Sequence, residues 1–209
     1  MESLLFPFMA VIYANLLYKI NLIDDLKKTR YINWLFSGFY SSAEGIACEI
    51  SAALSAVLLF KRYGITAECI LYAFMCQILI TAAILEFKNE FSARIEFMAA
   101  VTATAAFLIR LWGYGISLQE SILGILVSGI SLSVISLLTK GGVNIKDIIL
   151  ISFSGYILGL QQSLEALLTA SVLSAVISLV GIVRGRYDKK SSIPFVILFY
   201  IGYLSVLCM

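Results

Sequence analysis

Lys140-Gly-Gly-Val-Asn-Ile-Lys-Asp147 is a polar, glycine-containing hinge set between two apolar runs, residues 118–139 before it and 148–160 after it. The earlier run carries a single charged residue, Glu120. A bilayer core about 30 Å thick takes roughly 20 apolar residues of α-helix, so that run reads as a membrane helix and the hinge as the place where two helices root. Polar residues kept at the root of a membrane helix carry a free-energy penalty and point to function. The hinge is therefore where chemistry is expected.

The rest of the chain agrees with a membrane reading. It is 61% hydrophobic and 13% charged, with a mean hydropathy of +0.97 over 209 residues, which excludes an ordinary soluble domain. Apolar runs near 4–23, 46–60, 66–85, 95–111, 118–139, 148–160, 166–183 and 193–208 predict about eight transmembrane helices, the second, sixth and eighth of them short. The alternation of apolar and polar residues that marks an outer-membrane barrel is absent, so the expected fold is an all-α polytopic membrane bundle. Glu2 stands where a signal peptide has basic residues, and no small-residue cleavage pattern follows the first run, so that helix is expected to stay in the mature protein. Pro7 and Pro194 are the only prolines and no repeat period is visible. Residues 1–209 thus read as a single transmembrane domain, with 21–44, which includes Asp24-Asp-Leu-Lys-Lys-Thr-Arg30, as a short cytoplasmic excursion.

With these spans, twelve of the fifteen Lys and Arg residues fall on one face and only Lys61, Arg62 and Arg110 on the other. Basic residues stay on the cytoplasmic side, which puts the N-terminus outside, in a plasma membrane. The hinge at 140–147 and the segment Glu86-Phe-Lys-Asn-Glu-Phe-Ser-Ala-Arg94 then share the inner face. A net charge of +2, scattered over several loops, carries no nucleic-acid signal. Lipid is the partner this composition demands, and the oligomeric state is left open.

There is no histidine, which removes Ser-His-Asp and Cys-His catalysis, the HExxH metalloproteases and imidazole ligation. Cys48, Cys69, Cys76 and Cys208 lie in or beside apolar runs without CxxC spacing and read as packing residues. Neither a metal site nor a cofactor is expected.

From Ile78 onward the order of features resembles the type IV prepilin peptidases, intramembrane aspartic peptidases of the GxGD kind. Leu85-Glu-Phe-Lys88 stands where that family ends a span in its first aspartate, Gly141-Gly-Val-Asn-Ile-Lys146 stands where it has GxGDxK, and Ser192-Ile-Pro-Phe195 is similar to its late IPFGP-like segment. Upstream, Tyr13–Ile20 and Ile46-Ala-Cys-Glu49 sit where the family has its opening segments, so the resemblance covers nearly the whole chain. It implies a helical bundle that cuts the basic leader from pilin-like membrane precursors at the cytoplasmic face, with Glu86 and Asn144 in the two catalytic positions. No cysteine lies in 21–44, where longer members carry a zinc module, so zinc and the linked methyl transfer are not expected.

The departures fall on the chemistry. Aspartic proteolysis uses two carboxyls that exchange acid and base roles; Glu86 keeps one on a longer arm, while the amide of Asn144 has no proton to exchange. Val143 replaces the second glycine of the motif, and Ala93-Arg94 replaces a Pro-Asn pair. Three explanations stand side by side: a substituted, inert form of an active enzyme, a natural non-cutting relative, or transfer of the second role to Asp147, three residues on and on roughly the same helical face. Lys146, Glu49, Gly141 and Gly142 are candidate auxiliary residues, although a positive-inside anchor, an intramembrane packing acid and a helix-ending glycine pair account for them equally. A small transporter or channel subunit is the alternative from another class.

Overall fold

The computed structural model describes residues 10, 12–13, 43–87, 93–113, 115–138, 143–183 and 195–209. Among them run seven helices and no strand: α1 (Ala43–Tyr63), α2 (Ala67–Phe87), α3 (Ala93–Leu111), α4 (Leu118–Leu138), α5 (Ile145–Leu158), α6 (Leu160–Val183) and α7 (Phe195–Cys208). The all-α expectation holds. Each expected span from 46–60 onward has a helix at its position, while the first, at 4–23, lies almost wholly outside the described residues. One boundary moves: the helix at the seventh span begins at Leu160 rather than 166.

Among the described residues, three helices are long and apolar enough to cross a membrane, fewer than the seven spans expected there: Ala67–Glu86, Leu118–Leu138 and Leu160–Val180. The physical reason is legible in the others. Glu44, Glu49, Lys61 and Arg62 interrupt α1, and Arg94, Glu96 and Arg110 interrupt α3. At about 1.5 Å per residue, the 14-residue helices α5 and α7 are each shorter than a bilayer core.

The chain forms two compact units, residues 1–98 and 99–209, divided within α3. In the first, α1 and α2 form an antiparallel pair joined through Gly64, whose φ of +63° suits glycine and whose N–H donates to the Phe60 carbonyl at 2.9 Å. Cys48, Ala52, Ala56 and Leu59 form the fully buried stripe of α1. A polar seam runs along the pair: Cys48 Sγ lies 3.7 Å from Thr81 Oγ1, Gln77 Nε2 donates to Ser55 Oγ at 3.4 Å, and Ser55 Oγ donates to the Ala52 carbonyl at 3.0 Å. These hydrogen bonds let the polar side chains sit inside, and the Gln77 Oε1 is left without a partner.

In the second unit, small residues set the spacing. A methyl placed on Gly124 of α4 would land on the Gly155 carbonyl oxygen of α5, and one on Gly155 would lie 2.7 Å from the Gly124 carbonyl oxygen. A methyl on Gly202 of α7 would likewise collide with the Ala166 carbonyl of α6. Such backbone-to-backbone approach is how membrane helices pack when no hydrophobic force draws them together. Away from these seams, Ile122, Leu126, Ile130, Val134 and Leu137 form an exposed stripe along α4, and Leu168, Val172, Val176, Leu179 and Val183 form one along α6. Their spacing of three to four residues gives each helix one continuous apolar face, the side a lipid-embedded helix turns outward.

Candidate functional site

The hinge leads into α5, and its polar residues close that helix's first turn. Asn144 is the N-cap, with φ −72° and ψ 147°, and its side-chain oxygen accepts from the Lys146 N–H at 3.3 Å. Its own carbonyl accepts from Asp147 N at 3.1 Å and Ile148 N at 3.2 Å, which starts the helical ladder. In return the Asp147 carboxyl bonds back to the Asn144 backbone. The cap side chain thus serves the second helical N–H while the third residue's carboxyl serves the cap's backbone, a variant of the capping box, in which the cap side chain reaches the third N–H.

The two groups differ in environment. Asn144 is exposed, Lys146 is half-buried, and Asp147 is only 3% exposed. Burial pushes the Asp147 carboxyl up to about 6, against the opposing pull of the Asn144 backbone bond and the Lys146 charge. The one carboxyl at the hinge is therefore Asp147, which stands three residues after the family's aspartate position. Ser136 Oγ, from the end of α4, donates to the Val143 carbonyl at 2.9 Å and ties the approach to this turn. Gly141 and Gly142 lie outside the described residues.

The other expected members belong to the first unit. Glu86 is half-buried in the last turn of α2, and Glu49 is buried in α1 beside Cys48. Asn144, Lys146 and Asp147 are brought together by the first turn of α5, whereas Glu49 and Glu86 sit on separate helices of the other unit.

One charged residue was missed as a site in the sequence. Arg110, in the last turn of α3 and 6% exposed, donates from Nη1 to the Tyr156 carbonyl at 2.5 Å and to Ser121 Oγ at 2.7 Å, and from Nη2 to the Ile157 carbonyl at 2.6 Å. It closes the far end of α5 as Asn144 closes the near one. A cation is favoured there by the negative end of the helix dipole, and the planar guanidinium serves three acceptors at once. The chain turns just beyond, at Gly159 (φ +82°), whose N–H donates to the Gly155 carbonyl at 2.9 Å, and α6 begins at the next residue. The signal available in the sequence was an arginine at the end of a stretch, residues 97–111, that carries no other charge.

No family model matches the chain, no curated protein matches it, and no solved structure does.

Proposed function

We propose that this chain is a prepilin-peptidase-like membrane protein that engages pilin-like precursors at the cytoplasmic face of a plasma membrane and does not cut them. The observation that carries the non-cutting half of the reading is the use of Asn144: at the position of the family's proton-carrying aspartate, an amide accepts the Lys146 N–H and caps α5. Asp147, the nearest carboxyl, bonds back to the same cap. Both polar groups at the helix root are held by a structural task, and only one of them titrates. The order of the Glu86, hinge and Ser192–Phe195 segments supports the family reading, as does an all-helical chain with lipid-length helices.

The outside N-terminus is part of the same proposal. Arg110 is one of the three basic residues on the expected outer face, and it is buried in hydrogen bonds. An impermeant thiol reagent applied to intact cells, in a background without native cysteines, should label Ile65→Cys and spare Lys146→Cys; the reverse pattern would invert the topology.

The decisive experiment is a membrane reporter whose basic leader ends in glycine before an apolar helix. The unmodified chain should co-purify with it and leave it intact, and Asn144→Asp with Glu86→Asp should produce cleavage. Cleavage by the unmodified chain that survives Glu86→Ala would overturn the assignment, and cleavage lost with Asp147→Ala would move the second acid to Asp147.

A second reading, a small transporter, is favoured by a specific observation: the sharp helix interruption at Gly159 with a buried arginine on its carbonyls. Discontinuous helices beside buried charge are the usual construction of transporter sites. Solute uptake in vesicles that is abolished by Arg110→Met, together with no binding of the reporter, would select it.

A further inference from the structure

Residues 145–183 are helical on both sides of one residue, Gly159, and no proline interrupts them. In an uninterrupted helix the carbonyls of Tyr156 and Ile157 accept from the N–H groups four residues on, those of Leu160 and Gln161. Here both carbonyls receive the Arg110 guanidinium. The corner is also shaped for glycine alone: φ is +82°, and a methyl on Gly159 would meet Ile116 Cγ2 at 3.2 Å. A helix whose backbone bonds are replaced by a side chain from elsewhere has two ways to satisfy the same acceptors, and the side chain decides between them.

We propose that Arg110 is a latch that holds the α5–α6 corner, and that releasing it lets the corner open toward a continuous helix, swinging α6 away from its present place against α4. The latch joins three parts of the unit: the end of α3 that carries Arg110, the start of α4 through Ser121, and the end of α5 through Tyr156 and Ile157. Ser121 Oγ also donates to the Ser117 carbonyl at 2.9 Å, so the hydroxyl that receives Arg110 is itself held in place. The Arg110 guanidinium lies 5.2 Å from the centre of the Tyr156 ring, a second hold on the same residue. Opening regains backbone hydrogen bonds at 156–161 and gives up those of Arg110. Two states that satisfy the same groups in different ways form a bistable element, which small changes can bias. This inference is independent of the peptidase reading.

The test is a distance measurement between spin labels at Ile130→Cys on α4 and Val176→Cys on α6, both on exposed faces, in the full chain with Cys208→Ser, in lipid nanodiscs. The unmodified corner should give one narrow distribution. Arg110→Met should raise a second distance roughly tenfold in share, the range over which minor states are commonly populated. Gly159→Ala should raise the same second distance, and Arg110→Lys, which has a charge without the planar fork, should fall between. Unchanged distributions in Arg110→Met and Gly159→Ala, in monodisperse protein of unaltered helicity, would overturn the latch. So would new distances that differ between the two variants. Should Arg110→Met fail to fold, Ser121→Ala, which removes one acceptor and keeps both carbonyls, must still raise the second distance, and its failure to do so would refute the proposal.

Discussion

Arg110 and Tyr156 meet twice: the guanidinium donates to the Tyr156 carbonyl oxygen at 2.5 Å and lies 5.2 Å from the centre of the same residue's ring. One side chain thus holds both the backbone and the face of a residue 46 positions away. Replacing it by methionine keeps much of the volume and leaves two carbonyls and a serine hydroxyl without their donor. Arg110→Met should therefore lower stability by roughly 2–5 kcal/mol, and Arg110→Lys should recover part of the loss. Reversible unfolding in mixed micelles measures both, and a change under about 0.5 kcal/mol, the scale of an ordinary surface substitution, would show that the bonds contribute nothing net.

Asp147 should make stability depend on pH. Its folded carboxyl titrates near 6, above the ordinary 3.8, so the folded state holds its proton more tightly than the unfolded chain. The associated stability is fully present below about 3.8 and is lost as pH rises through about 6, above which the curve is flat. Asp147→Asn keeps an oxygen for the Asn144 N–H and removes the titration. It should be more stable than the unmodified protein at pH 7 by about 3 kcal/mol and lack the decline between pH 4 and 6. A variant whose pH profile overlays that of the unmodified protein would exclude Asp147 as the titrating group.

Asn144→Ala removes the side-chain acceptor of the cap and should destabilise the protein by about 1 kcal/mol, whereas Asn144→Ser should stay close to the original. Because the cap governs only the first turn, hydrogen exchange should quicken at 145–148 before it does elsewhere in α5. Uniformly faster exchange through the helix would mean that the turn is not a separate unit.

The glycines of the α4–α5 crossing should rank by what their missing methyl would strike. Gly124→Ala places a carbon on the Gly155 carbonyl oxygen, and Gly155→Ala strikes the Ser128 hydroxyl first and lies 2.7 Å from the Gly124 carbonyl oxygen, so each should cost roughly 1–3 kcal/mol. Gly129→Ala meets only the movable Ser152 hydroxyl at 3.0 Å and should cost less. Equal effects at all three positions would indicate that the helices separate freely.

Helix positions were legible because apolar length is a one-dimensional signal. The runs at 66–85, 95–111 and 118–139 fall within about two residues of α2, α3 and α4. Which of them cross a membrane was less legible, since a run chosen for its apolar residues conceals the charges inside it, as in α1 and α3. The hinge was marked as special by its polar residues, yet its internal geometry depends on which side chain turns back onto which N–H, and spacing offered Asp147 only as an alternative to Asn144. Arg110 was hidden for the opposite reason. Its partners are carbonyls and a serine brought close by tertiary packing, and nothing in its immediate neighbours names Tyr156 or Ile157.

The connection between α5 and α6 is one residue long, so the two helices share a rotational phase. An inserted or deleted residue beside Gly159 would turn every later side chain about 100° around the α6 axis. The seam that now offers Ala166 to Gly202 would then present a bulkier neighbour, and the outward row of Leu168, Val172 and Val176 would turn toward protein. Indels should therefore be rejected at this loop, although loops elsewhere in proteins absorb them with ease.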